Sequence, residues 1–414
     1  MSSKRKKHLT SWKVVRRCVV FFTTICVIPV LLFLMVTTDQ YMRPMRNNRF
    51  FLKPQDTDTA YQASDVHKSS ETMTAIRSST DESLALTEEL GHTDKVPHSK
   101  MSKNLTAIAN RLDKRKQFLK RACKNLGLDI PGNDTLHKPN PWEFLVSQKY
   151  HLIWCNVFKA ASSSWMYNFN ILAGYSPDFL RKTKQVPLTL ARQKYPRQTV
   201  ESLKKAFNES LAFLIARHPL ERLLSGYKDK IERALPHSLH KKLGNQIIMK
   251  YRPNASNGNF GKSKVPTFAE FILYLLDCVR NGEVLDMHWT PITEFCTPCM
   301  YDFDIIAHTE TLQEDQEFLI YKAGLQGIIK PEWKNPGQGI TAQQIEQYYS
   351  QLTRAQILQL YHIYRYDFEL FNYTLTGYLD VGIMDKDPAA LLEAINMKEL
   401  TKKYDHVDSY NNAV

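Results

Sequence analysis

Two stretches of this 414-residue chain each place a loop of cationic and hydroxyl residues where an apolar run gives way to a helix, and they constrain the fold more than any other feature. In the first, Tyr150-His151-Leu152-Ile153-Trp154-Cys155-Asn156-Val157 has strand character, Phe158-Lys159-Ala160-Ala161-Ser162-Ser163-Ser164 forms the loop, and Trp165 to Leu172 can begin a helix. In the second, Leu211-Ala212-Phe213-Leu214-Ile215-Ala216 reads as a buried strand, and Arg217-His218-Pro219-Leu220-Glu221-Arg222-Leu223-Leu224-Ser225 follows, with Pro219 suited to the first turn of a helix. At such a junction the free backbone N–H groups and the positive helix end converge on an anion, and Lys159 with three consecutive hydroxyls adds charge and donors. The chemistry expected there is phosphate or sulfate binding.

The first segment is similar to the 5′-phosphosulfate loop of sulfotransferases, and the second resembles their 3′-phosphate segment, in which an Arg and a Ser eight residues later grip the 3′-phosphate of 3′-phosphoadenosine 5′-phosphosulfate. The likeness is to the Golgi carbohydrate sulfotransferases of the HNK-1 and chondroitin 4-O-sulfotransferase group, sulfotransferase family 2. It extends more weakly through Val265-Pro266-Thr267-Phe268-Ala269-Glu270-Phe271, His288-Trp289, Cys296-Thr297-Pro298-Cys299, Glu310-Thr311-Leu312 and Asp367-Phe368-Glu369-Leu370-Phe371, so it covers roughly Cys123 to Tyr373. Two positions depart from the pattern: Phe158 stands where the family usually has Pro, and His218 where it usually has Asp. Neither supplies the charge that holds the donor.

The resemblance implies an α/β domain with a largely parallel central sheet and a phosphate-binding strand-loop-helix. It implies that residues 158–164 and 217–225 contact the donor: Phe158, Lys159, Ala160, Ala161, Ser162, Ser163 and Ser164, then Arg217, His218, Pro219, Leu220, Glu221, Arg222, Leu223, Leu224 and Ser225. Lys159 is the candidate cation at the bridging oxygen. Arg222 lies one turn beyond Pro219 and reads equally as a donor ligand or as a partner for nearby carboxylates. A sugar hydroxyl is too weakly acidic to attack unaided at neutral pH, so a general base is expected. His288 is preferred because Trp289 beside it offers a ring for a sugar to stack on; His151, His237, His308 and Glu310 are the alternatives. No metal is expected.

The amino-terminal residues set the compartment. Lys4, Arg5, Lys6, Lys7, Lys13, Arg16 and Arg17 precede an uncharged, mainly apolar run from Cys18 to Thr38, long enough to cross a hydrocarbon core that needs about 20 residues. A cleaved signal peptide would typically have an apolar core of about 7–15 residues and a small-residue cleavage site. The run therefore reads as a single transmembrane anchor, residues 18–38, with a cytosolic tail, residues 1–17, and everything after the anchor in the lumen, which the resemblance implies is that of the Golgi. Residues 39–118, rich in Ser, Thr, Asp, Gln and Lys, read as a flexible stem, 119–380 as the catalytic domain and 381–414 as a polar tail. Within the domain, Gln356 to Phe371 reads as a core-facing helix.

Sequons at Asn104, Asn133, Asn208, Asn254 and Asn372 fit a luminal location. Of 7 cysteines, Cys18 and Cys26 fall in the anchor, leaving Cys123, Cys155, Cys278, Cys296 and Cys299, an odd number that predicts one free or intermolecular thiol. Cys296-Thr297-Pro298-Cys299 has the spacing of a redox or zinc half-site, but no second close pair completes a structural zinc site, and structural disulfide bonding is expected.

The formal charge of +13 falls to +6 once the seven amino-terminal cations are set aside. Lys241, Lys242, Lys250, Arg252, Lys262 and Lys264 concentrate in one stretch and read as a rim for a polyanion such as an acidic polysaccharide, which the family resemblance implies to be of the chondroitin or dermatan type. Nucleic acid suits the charge but not the compartment. Two decoys are set aside. Gly261-Lys262-Ser263 resembles the end of a nucleotide-binding loop, but Ser256 holds the first Gly position. Asp302-Phe303-Asp304 resembles a metal-binding pair of glycosyltransferases, but its apolar neighbours suggest a strand whose carboxylates cap or pair. A luminal glycosyltransferase and a silent glycosaminoglycan-binding protein are the rival readings, separable by donor.

Overall fold

The structure, a computed structural model, describes residues 98–252, 263–331 and 340–396. The predicted anchor, Asn254, Lys262 and the end of the polar tail lie outside them, and among the described residues no helix is long and apolar enough to cross a membrane. The core is a four-stranded sheet of order β1-β2-β3-β4, with β1 Phe144–Ser147, β2 Leu152–Cys155, β3 Leu211–Ala216 and β4 Ile305–His308. β1 and β2 form an antiparallel hairpin with Phe144 opposite Cys155, while β2, β3 and β4 run parallel, Leu152 facing Leu211 and Phe213 facing Ile305. The strands are buried almost throughout, as continuous apolar runs in a covered parallel sheet should be. Because β2, β3 and β4 run the same way, the loops after Cys155, Ala216 and His308 all leave from one edge of the sheet. In open α/β sheets that edge is where ligands gather.

Helices α1 His98–Asn125, α2 Ser162–Leu172, α3 Pro177–Lys182, α4 Pro187–Lys194 and α5 Val200–Glu209 precede β3; α6 Pro219–Tyr227, α7 Leu239–Tyr251, α8 Phe268–Arg280 and α9 Ile292–Cys296 lie between β3 and β4. α10 Leu312–Lys322, α11 Ala342–Tyr349, α12 Arg354–Ile363 and α13 Arg365–Leu370 follow. Local chemistry sets many of their starts. Ser176, Thr199, Ser238, Thr267, Thr341 and Thr353 each accept a backbone N–H three residues on, a bond typically worth about 1 kcal/mol.

Two apolar cores result. One surrounds the sheet, where Trp154, Trp165, Phe169 and Phe213 pack ring on ring with centroids 4.5–6.4 Å apart. Truncating a ring in such a cluster typically costs about 3–5 kcal/mol. The other gathers α6, α8 and α11 to α13 around Phe268, Phe271, Trp289, Tyr349 and Tyr364. Gln356 to Phe371 is thus two consecutive core-facing helices, α12 and α13, with Ile357, Leu360, Phe368 and Leu370 inward.

The stem expected over 39–118 ends earlier than its composition suggests. Residues 98–118 belong to α1, which packs against β4 and α10 through Ile108, Leu112, Leu119 and Cys123. Polar residues dominate its composition because three faces meet solvent, and only a thin apolar stripe reports the fourth. Arg111 and Arg115 secure α1 to the fully buried Asp315 at 2.7 Å each. The Asp302 and Asp304 carboxylates also serve packing, pairing with Lys116 and Lys120 at 3.0–3.2 Å, while Asp304 Oδ2 accepts the Ala212 N–H.

Disulfides join Cys123 to Cys299 and Cys155 to Cys296, leaving Cys278 as a buried free thiol. The two cysteines of Cys296-Thr297-Pro298-Cys299 therefore bond to different partners. The Cys155–Cys296 bridge ties the end of β2, where the first loop begins, to the last residue of α9. Removing a native disulfide typically costs about 2–5 kcal/mol. The double variant Cys155→Ser/Cys296→Ser is expected to melt several degrees below the parent, and a thermal melt with unchanged midpoint would deny the bridge its structural role.

Candidate active site

The first segment forms a tight loop from the end of β2 to the start of α2. Lys159 and Ala161 both adopt left-handed backbone conformations, φ 67° and 59°, which non-glycine residues hold only when their surroundings impose them. This winding brings Ser162, Ser163 and Ser164 into the first turn of α2, whose cap residue Ala161 offers no side-chain bond to the N–H groups there. The Ser164 N–H turns back to the Ala161 carbonyl at 3.1 Å, and a helix start without a side-chain cap is the kind of place where anions bind. Ser162 is half-buried and Ser163 exposed, whereas Ser164 and Ala160 are buried.

Lys159 Nζ donates to Asp229 Oδ2 at 2.9 Å, an oxygen that Lys230 also approaches at 3.3 Å. Burial lowers the Lys159 pKa, Asp229 opposes that shift, and the Lys230 and Arg217 charges add to it. Asp229 lies in a π-helical turn, Lys228–Glu232, that continues α6. Such turns recur at functional sites.

The second segment meets the first through its backbone: Arg217 Nη1 donates to the Lys159 carbonyl at 3.1 Å, and its Nη2 lies 3.5 Å from Glu221. Of residues 217–225 only Arg217, Glu221 and Ser225 are partly exposed, and their four-residue spacing puts them on one face. The rest of that expected ligand set turns inward. Leu220, Leu223 and Leu224 fill the second core, and Pro219 is buried beside them in the first turn of α6. His218 is buried against Tyr378, Phe368 and Tyr373, with Nε2 3.0 Å from the Thr374 carbonyl, and burial lowers its pKa.

Arg222 is fully buried. It donates to the carbonyls of Phe158 and Thr290 and faces the Asp367 carboxylate, which accepts the N–H groups of Ile292 and Thr293 at 2.7 and 2.8 Å. Its hydrogen bonds go to backbone carbonyls, and the Asp367 carboxylate acts on it through charge. Arg222 ties the first loop to the one carrying His288.

That third loop brings His288 to the same place. The His288 ring lies 5.0 Å from that of Phe158, the neighbour of Lys159. Its Nδ1 is 2.6 Å from Asp286 Oδ1, and the second Asp286 oxygen is 3.2 Å from His240 Nε2 on α7. Burial pushes His288 below its ordinary pKa, Asp286 opposes this, and Lys230 and His240 reinforce it. His240, Asp286 and His288 are also the one group among the described residues whose ligating atoms, all within 4.8 Å, are close enough for a metal ion; the hydrogen bonds account for that spacing.

The expected stacking partner is not there. Trp289 is fully buried against Phe271, so no sugar reaches it, and Phe158 is the half-buried ring beside His288.

The alternative bases lie elsewhere. His151 is exposed at the start of β2, at the opposite edge of the sheet, and His237 is exposed ahead of α7. His308 ends β4 and Glu310 follows it, on the correct edge. His308 stacks on Tyr373 at 5.2 Å and burial pushes it down to about 3, while Glu310 accepts the Tyr373 hydroxyl at 3.2 Å. The basic rim is weaker than the sequence suggests. Lys250 pairs with Asp277 at 2.9 Å, and Arg252 donates twice to Glu270 at 2.7 and 2.8 Å.

Three polar side chains at the site escape sequence reasoning. Asp229 and His240 reach their partners across 70 and 46 residues, and no local pattern announces either. Asp286 lies two residues before His288, and that spacing is the available signal.

The first loop, the Arg217 face and His288 thus converge at the carboxyl ends of the parallel strands, and the part of the chain that carries all three is the part with known relatives. Mouse carbohydrate sulfotransferase 11 is 28% identical over 246 residues, covering 58% of this chain and 70% of the relative. Human carbohydrate sulfotransferase 9 is 30% identical over 269 residues, 63% of this chain and 60% of the relative. Xenopus laevis carbohydrate sulfotransferase 10 is 27% identical over 273 residues, 63% and 75%. No solved structure matches the chain. The profile of the sulfotransferase family matches residues 142–374, a span that holds all four strands and every residue placed at the site above, and the chain belongs to that family.

Proposed function

We propose that the chain is a Golgi carbohydrate sulfotransferase that places sulfate on O-4 of N-acetylgalactosamine in chondroitin or dermatan. Family membership makes it an enzyme whose sulfuryl donor is 3′-phosphoadenosine 5′-phosphosulfate. The observation that carries the site assignment is the convergence of a helix start without a side-chain cap, two cations and a histidine on one sheet edge, with Phe158 linking the Lys159 loop to His288. Sulfuryl transfer is dominated by positioning and by charge on oxygen, so such a site needs cations and donors rather than a covalent intermediate.

In this reading Ser162, Ser163 and the N–H groups of α2 hold the phosphosulfate, and Arg217 with Ser225 holds the 3′-phosphate. The acceptor oxygen attacks sulfur as the bond between sulfur and the bridging oxygen breaks. Lys159 stabilises charge on that departing oxygen, His288 takes the hydroxyl proton, and the products are a sulfate ester and 3′,5′-diphosphoadenosine. A single-pass, type II Golgi location is part of the proposal. It is supported by the basic residues ahead of the apolar run, by two disulfides and by the exposure of all four described sequon asparagines, Asn104, Asn133, Asn208 and Asn372.

The test is to incubate the purified enzyme with sulfate-labelled donor and a panel of desulfated glycosaminoglycans and N-glycans, then digest the products to disaccharides. Label on O-4 of N-acetylgalactosamine is the expected result. Label on terminal glucuronate or on an N-glycan galactosamine would move the acceptor, and donor binding without transfer to any glycan would overturn the carbohydrate reading.

A further inference from the structure

The His288 loop is built more rigidly than an acceptor contact alone requires. Asp286 Oδ1 accepts both the backbone N–H of His288 at 2.9 Å and its ring Nδ1, while the Asp286 carbonyl accepts the N–H groups of Trp289 and Thr290 at 3.0 and 2.9 Å. The buried Trp289 anchors the loop in the second core, where its carbonyl accepts the Tyr364 hydroxyl at 2.6 Å. Gly226 of α6 lies directly beneath, and a Cβ there would come within 3.1 Å of the His288 carbonyl.

A carboxylate only accepts hydrogen bonds, so the ring atom facing Asp286 carries the proton: neutral His288 has its hydrogen on Nδ1 and its lone pair on Nε2. The other carboxylate oxygen meets a different element, His240 near the start of α7. Both Asp286 oxygens are thus fixed, and with them the plane of the His288 ring.

We infer that Asp286 and His240 are positioning residues for this enzyme: Asp286 selects the His288 tautomer whose Nε2 faces the acceptor hydroxyl, and His240 locks the Asp286 carboxylate in place. The inference rests on the reading of His288 as the base. When Nε2 takes the acceptor proton the ring becomes a cation, and Asp286 is the anion beside it. The groups that bear on this charge are Asp286 on its own loop, His240 on α7 and Lys230 on the π-helical turn; Phe158, from the first loop, contributes an apolar face. Burial pushes the Asp286 carboxyl up, but the hydrogen bonds from His240 and His288 outweigh it, so the group stays ionised below the usual carboxylate range. The division of labour parallels that of a Ser-His-Asp triad, in which loss of the orienting carboxylate costs about 10⁴ in turnover through the wrong tautomer.

The test compares Asp286→Asn, His240→Ala, His240→Gln and His288→Ala in the full-length enzyme, measuring turnover against pH, affinity for 3′,5′-diphosphoadenosine and melting temperature. Asp286→Asn is expected to lose about 10²–10⁴ in turnover with product affinity unchanged. Its acid limb should move to lower pH, because the carboxylate that favours the imidazolium is gone. His240→Ala should lose less, and His240→Gln, which keeps an N–H donor, should recover most of that loss. A wild-type limb and wild-type turnover in Asp286→Asn would overturn the inference while leaving the base assignment standing; full turnover in His288→Ala would overturn both. Should Asp286→Asn fail to fold, the unmodified enzyme labelled with ¹⁵N-histidine still decides the matter. Neutral His288 protonated on Nδ1 supports the inference, and protonation on Nε2 refutes it.

Discussion

Lys159→Ala is expected to lower turnover by about 10²–10³ while leaving affinity for 3′,5′-diphosphoadenosine nearly intact, the pattern of a cation that acts chiefly on charge developing in the transition state. Arg217→Ala should do the reverse in kind. Losing charge-assisted bonds of about 1.5–3 kcal/mol weakens product binding roughly ten- to hundredfold. The competing account treats Lys159 as an ion-pair partner of Asp229. With Asp229 about half exposed, such a pair is worth about 0–1 kcal/mol of stability and nothing in rate. The left-handed backbone at Lys159 speaks against that account, since a surface ion pair does not require it. Calorimetry with the product and turnover on one preparation separate the two. Undiminished turnover in Lys159→Ala would remove it from the chemistry, and undiminished product affinity in folded Arg217→Ala would overturn the second segment.

The parts of this site legible in the sequence are those whose physics is local. Leu211 to Ala216 reads as a strand because a strand covered on both faces is apolar at every position, and Pro219 announces the helix because its fixed φ suits a first turn. The oddness of the five cysteines after the apolar run foretells a leftover thiol, and Cys278 is that thiol. Illegible were the directions of side chains within a correctly placed element. Arg222 and Ser225 sit three residues apart on α6, yet Arg222 enters the core and Ser225 remains at the surface, because the second core, assembled from α8 and α11 to α13, decides which face of α6 is covered. Trp289 is the same case: its size makes it equally suited to a sugar or to a core, and the Phe271 and Tyr364 environment settles the matter.

His288→Ala is expected to keep donor affinity and folding and to lose about two to four orders of magnitude in turnover, the usual scale for a removed general base. Two features of the structure point this way. Its Nδ1 is committed to Asp286, which leaves Nε2 to act, and burial keeps the ring neutral below its ordinary pKa near 6.5. Because the folded-state pKa is lowered, the active neutral form persists as pH falls through that value, and the acid limb of wild-type turnover should lie below it. The same shift opposes stability at low pH, since the unfolded chain takes up the proton first. A merely structural histidine predicts a different pattern: truncation leaves the half-buried Asp286 carboxylate one donor short, costing about 1 kcal/mol and a lower melting temperature, with turnover per folded molecule unchanged. Near-normal turnover in a folded His288→Ala enzyme would transfer the role to the edge after β4. There Glu310, held by the Tyr373 hydroxyl and close in charge to Glu221, is the residue to change next.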